Sequence, residues 1–98
     1  MPKPPIYTTY LVCYDIANPK RLRKVATRME QYLTRIQKSV FEGQLNRSQL
    51  KKLIKKVKRV MNMGEDSVII YPLTKHALRR KQNLGVPPQN QGTFIIGP

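Results

Sequence analysis

Apolar positions along the 98-residue chain follow two rhythms. Residues 7–16, YTTYLVCYDI, are dense in Tyr, Thr, Val and Leu and predict a β-strand. Asn18-Pro19 then opens a helix, because Asn accepts bonds from the free N–H groups and the fixed φ of Pro suits the first turn. Leu22, Val25, Ala26, Met29 and Leu33 recur at three- and four-residue spacing, which predicts an amphipathic helix over 19–32. TRIQKSVFEGQL predicts two short strands, 35–37 and 40–45, around a tight turn at Lys38-Ser39, with Gly43 marking a bulge or a close approach. Asn46, with Gln49 three positions on, is a capping-box pattern. Leu50, Leu53, Ile54, Val57, Val60 and Met61 continue as a clean apolar stripe that Asn62 and Gly64 end. SVIIYPL, residues 67–73, is almost continuously apolar and predicts a strand buried on both faces, with Pro72 at an edge or bulge. One or two helical turns are expected over 74–81. Residues 1–6 read as a flexible leader, 82–92 as a polar loop, and TFIIG within 93–97 as a last short strand.

Strand, helix, strand, strand, helix, strand is the ferredoxin-like βαββαβ order, so the fold class is α+β in a single domain, with an extra C-terminal strand. Helices cover one face of such an antiparallel sheet. In the first strand Tyr10, Val12 and Tyr14 point one way while Leu11, Cys13 and Asp15 point the other. The first and fourth strands are apolar on both faces, so the open face needs a cover. A second copy is the simplest one, giving a homodimer with its sheets face to face. The strand 93–97 is then free to extend the partner's sheet and blunt its edge.

Charge changes the picture. Lys and Arg number 19 against 5 acids, a net +14 that repels itself unless something anionic compensates it. Nucleic acid is the first candidate and an anionic membrane the second, with a merely solvated basic surface as the plain alternative. The apolar faces of the helices are needed for a core, and no apolar stretch is long enough to cross a bilayer, so a membrane partner is not expected. The lone Cys13 forms no internal disulfide and fits a reducing cytoplasm; the N-terminus has no signal-peptide cleavage region. Arg21, Arg23, Lys24 and Arg28 on the first helix, and the lysines of the second, suit phosphates rather than base edges.

The catalytic inventory is thin. His76 stands without a Cys or Ser partner, and there is no glycine-rich phosphate loop and no Cys/His metal cluster. Among the acids, Glu30 lies in a basic helix and suits a solvated ion pair, Glu42 lies on a short strand, and Glu65 and Asp66 occupy a turn, where acids are common. Asp15 is different because it ends a central strand. Two roles suit it on the residues alone. It caps the following turn and helix, favoured by the helix dipole. Or a two-fold axis brings two copies together to share a proton or hold a divalent cation, with phosphate oxygens in the remaining positions.

YDI at 14–16, the basic helix opening with Lys20-Arg21, RIQKSVFEG at 35–43 and DSVIIYPL at 66–73 resemble the CRISPR-associated Cas-two family, in the right order over about residues 9–75. The resemblance implies a ferredoxin-like homodimer that works with the Cas-one integrase in spacer acquisition, an antiviral function, on double-stranded DNA. It further implies, for many members, metal-dependent nuclease activity on duplex DNA or single-stranded RNA. Asp15 matches the family's Mg²⁺ or Mn²⁺ ligand at the dimer interface and is the expected catalytic residue. Tyr14 precedes it. Arg21 and Arg23 match the family's basic positions, expected on the nucleic-acid backbone, and Lys20 and Lys24 beside them are expected to bind there too. Arg35 and Phe41 match residues near the nuclease site of some members, and residues 93–96 match the strand that packs on the partner. Leu33 departs from the pattern, standing where many members have Gly, and the leader is longer than usual. A DNA-holding adaptor without catalysis and a toxin-type ribonuclease of the same fold are the other functions these features allow.

Overall fold

The structure, a computed structural model, describes residues 4–88. The expected strand at 93–97 lies outside the described residues. Chain order is β1 (Thr8–Asp15), α1 (Pro19–Glu30), β2 (Thr34–Gln37), β3 (Val40–Leu45), α2 (Arg47–Val60), β4 (Ser67–Leu73) and a short α3 (Lys75–Arg79). The strands form one antiparallel sheet in the order β2-β3-β1-β4. Each long helix therefore links two strands that have a third between them, the ferredoxin-like split βαβ arrangement.

Local chemistry explains the boundaries. The Asn18 side chain accepts from the N–H groups of Lys20 and Arg21 at 2.8 and 3.1 Å, and Pro19 fills the first helical position. Asn46 and Gln49 close a reciprocal capping box, with bonds of 2.8 and 2.9 Å. Helix α1 stops two residues before the sequence pattern suggests, because residues 31–33 turn to enter β2. There Leu33 N–H still bonds to the Met29 carbonyl at 2.8 Å. The core lies between the helices and one sheet face, where Val12, Phe41 and Leu45 meet Val25, Met29 and Leu53.

Gly43 is a point of close approach; the irregularity in the ladder falls instead between Arg35 and Gln37. A Cβ added at Gly43 would lie 2.9 Å from Leu33 Cδ2 and 3.4 Å from Leu33 Cα. The buried Leu33 thus occupies the space that glycine leaves in the facing strand. Gly43→Ala should destabilise the chain by about 1–3 kcal/mol through overpacking. Denaturant titration of Gly43→Ala alone and with Leu33→Ala checks it: the second change should recover part of the loss caused by the first.

Within the single chain β4 is covered on one face: Val68 and Ile70 are half-buried, while Ile69 and Tyr71, on the face expected to need a cover, are 47% and 48% exposed. The reason is position. β4 is an edge strand, which is also where Pro72 is tolerated, and its second face belongs to the open side of the sheet. No helix among the described residues is long and apolar enough to cross a membrane.

Candidate functional site at the end of the central strand

Asp15 is the last residue of β1, opposite Ser67 of β4, and is exposed. It lies on the open sheet face with Leu11 and Cys13. The cross-strand pairs Cys13↔Val40, Cys13↔Ile69 and Leu11↔Tyr71 put Val40, Ile69 and Tyr71 on the same side. Among the described residues no hydrogen bond or ion pair engages the Asp15 carboxylate, and the cap of α1 is Asn18. Cys13 is a half-buried free thiol on this open face, as strand alternation predicts.

Tyr14, Arg35 and Phe41 belong to the other side. Val12 pairs with Phe41 and Arg35 pairs with Phe41, which places these side chains beneath the helices. Phe41 is fully buried and Tyr14 is 5% exposed, with ring centroids 5.8 Å apart. Arg35 lies over the Phe41 ring, 5.2 Å from its centroid, and 3.8 Å from Glu30. The Tyr14 hydroxyl donates to the Lys38 carbonyl at 3.1 Å, and burial pushes the phenol above its ordinary range. The sheet therefore stands between Asp15 and the side chains of Tyr14, Arg35 and Phe41. Tyr14 and Phe41, expected on nucleic acid, are core aromatics within this chain.

Arg21 is also engaged within the chain. Its Nε donates to Asp66 at 2.9 Å, and its Nη2 donates to Glu65 at 2.7 Å and to Asp66 at 3.2 Å. Asp66 further accepts from the N–H groups of Ala17 at 2.9 Å and Asn62 at 2.7 Å, and its side chain is fully enclosed. The Arg21 guanidinium, seconded by the two backbone donors, holds this carboxyl well below the usual carboxylate range. Asp66 therefore locks the turn that follows Asp15 to the turn that precedes β4. As an acid in a turn it looked unremarkable in the sequence; what marks it is a partner 45 residues away. Lys20, Arg23 and Lys24 are exposed on α1 and remain available to an anion.

Charge is segregated by layer. Twelve of the 19 Lys and Arg residues lie on α1 and α2, with Glu30 as the one acid of the two helices. Among the described residues the open sheet face carries Asp15 and Glu42 and no Lys or Arg from the four strands. No three potential metal ligands cluster among the described residues. One free carboxylate offers hard oxygen donors of the right kind for Mg²⁺ but too few, so Asp15 fits such an ion only as one half of a pair.

Comparison with known proteins agrees with this architecture. The family model for CRISPR associated protein Cas2 matches residues 8–81. A protein of Synechocystis sp. named CRISPR-associated endoribonuclease Cas2 3 is 38% identical over 89 residues, 89% of this chain and 97% of that protein. The crystal structure of Streptococcus pyogenes Cas2 superposes with a TM-score of 0.71 at 33% identity, covering 79% of this chain and 99% of that one. A chain of a partial Cas6-RT-Cas1–Cas2 complex does so with a TM-score of 0.71 at 26% identity over 91% of this chain and 97% of that one. The match runs from the first strand through α3 and takes in every element that positions Asp15, so the chain belongs to the CRISPR-associated Cas2 family.

Proposed function

We propose that this protein acts as a homodimer in CRISPR spacer acquisition, holding double-stranded DNA for a Cas1 integrase in the cytoplasm. In the dimer two Asp15 carboxylates meet at the seam between the sheets. The observation that carries this reading is the open face itself: Leu11, Cys13, Val40, Ile69 and Tyr71 form an apolar surface with an unengaged carboxylate at its end. An apolar sheet face of that kind is stabilised by a second copy. The segment 93–97 would extend the partner's β4 at its unpaired edge. Cas1 enters as partner through the Cas1–Cas2 complex among the structural neighbours.

Paired Asp15 would hold Mg²⁺ or Mn²⁺, an ion that supplies charge stabilisation to phosphodiester hydrolysis when bound. Asp15 itself has the exposure to do this; Tyr14 and Arg35 act from beneath the sheet, through packing. The relatives' names, endoribonuclease and endonuclease, support phosphodiester cleavage as the chemistry. The test compares wild type with Asp15→Asn on a labelled DNA duplex and a single-stranded RNA, with and without Mg²⁺ or Mn²⁺, following binding and cleavage together. Metal-dependent cutting should fall in Asp15→Asn to the level of the metal-free control while binding stays within about twofold. Equal cutting by both forms would remove Asp15 from the chemistry. Binding without cutting by either form would leave a DNA-holding adaptor. A monomer in sedimentation at micromolar concentration would overturn the dimer.

A further inference from the structure

We propose that the outer flank of α2 is a docking track for the sugar-phosphate backbone of a nucleic-acid duplex, separate from Asp15. The proposal rests on the reading that the protein binds nucleic acid, and it says where. Helix α2 carries Arg47, Lys51, Lys52, Lys55, Lys56, Lys58 and Arg59, with no acid between residues 47 and 60. Ion pairs among the described residues are made by Arg21 and Arg35, and none reaches α2.

On the isolated helix this pattern costs stability. Arg47/Lys51, Lys51/Lys55, Lys52/Lys56 and Lys55/Arg59 are all like-charge pairs at four-residue spacing, which repel across one turn. The helix dipole favours Lys58 and Arg59 in the last turn but disfavours Arg47 in the first. A polyanion lying along the flank reverses both penalties.

The geometry suits a phosphate backbone. Arg47, Lys51, Lys55 and Lys58 recur at four, four and three residues, a line about 16 Å long at 1.5 Å per residue. One strand of a duplex rises past roughly five phosphates over that length of axis, at 3.4 Å each, and those on the near side of the duplex can meet the line. The line borders a shallow trough of about 830 Å³, floored by Ile54 and flanked by Ser48 and Lys52. Lys56 marks the opposite flank: it bonds to Gln31 at 3.0 Å and lies over the Tyr32 ring, facing the end of α1. Ile54 and Lys58 also border the space beside Val68 and Ile70, so the trough lies toward β4 and away from α1. It belongs to the helix layer, on the side of the sheet opposite Asp15. In a face-to-face dimer the tracks point outward, one per protomer.

The experiment measures duplex DNA binding by the full chain across a salt series. The variants are Lys51→Gln with Lys55→Gln, and, removing equal charge elsewhere, Lys75→Gln with Arg79→Gln on α3. Loss of two backbone contacts should reduce the log–log salt slope by about two and weaken binding at 0.1 M salt by roughly 60-fold. The α3 pair should change the slope by less than half as much. Melting of the α2 variant should be unchanged or raised, since repulsion is relieved. An unchanged slope in the α2 variant, or equal changes in the two variants, would overturn the track while leaving nucleic-acid binding intact. A wild type that binds no duplex at low salt would overturn the underlying reading as well.

Discussion

Phe41→Ala should cost about 3–5 kcal/mol of folding stability, the usual range for emptying a buried aromatic site. A domain of this size is stable by about 5–15 kcal/mol, so the variant loses a large share of its margin, and its melting point should fall by roughly 12 °C or more. The mechanism is local and specific. Phe41 is fully buried, opposite Val12 and Arg35 in its register, beside Tyr14 and beneath the Arg35 guanidinium. Its removal opens a cavity among the best-packed side chains and takes away an aromatic pair and a cation–π contact. Thermal melting with duplex binding measured well below the variant's midpoint separates two accounts. If Phe41 acts by packing, Phe41→Leu keeps most of the stability and binds duplex as wild type does. If Phe41 stacks on bases, Phe41→Leu stays folded and loses binding.

The second large effect concerns Asp66 and has a definite sign with pH. Arg21 and two backbone N–H groups lower the folded-state pKa of Asp66 below its unfolded value, near 3.9. Between those two values the unfolded chain binds more protons than the folded one, so stability rises with pH. The contribution is fully present above about pH 4 and is lost as pH falls through the folded-state value. Asp66→Asn should therefore be markedly less stable than wild type at pH 7, and the gap should close toward pH 2. Melting curves at several pH values read this directly, and because both proteins carry the same large positive charge at low pH, general acid repulsion cancels in the difference. A gap of equal size at pH 2 and pH 7 would refute the assignment. Arg21→Ala belongs in the same experiment. If Arg21 serves Asp66, the two substitutions are strongly non-additive. If it instead serves a bound phosphate, Arg21→Ala weakens duplex binding in the Asp66→Asn background too.

The elements were legible because local signals agreed with one another. Asn18-Pro19 and the Asn46–Gln49 box mark helix starts that the structure keeps, and the predicted strand 67–73 matches β4 residue for residue. The open face was legible too, from strand alternation in Leu11, Cys13 and Asp15. What the sequence hid was long-range. Asp66 has an ordinary neighbourhood in the chain, and only folding brings Arg21, Ala17 and Asn62 to it. Apolarity on both faces of β4 and Pro72 near its end are both in the sequence, but the strand order that puts β4 beside β1 at the edge of the four-stranded sheet comes only with the fold. Strand alternation already sets Tyr14 on the face opposite Asp15; that Arg35 and Phe41 join Tyr14 there depends on the register of β3 against β1 and β2, which no local pattern records.

The central position of β1 has a consequence for how the chain is made. Its neighbours are β3 and β4, and Thr9 pairs with Leu73, 64 residues later. At a synthesis rate of about 5–20 residues per second, the first strand waits roughly 3–13 s for its last partner. During that interval β1, α1, β2 and β3 can assemble into a three-stranded half, and α2 emerges before the strand that completes the sheet. The unfilled edge of that nascent half is the Leu11–Val12–Cys13 side of β1, a natural place for a chaperone to bind or for two nascent chains to pair wrongly.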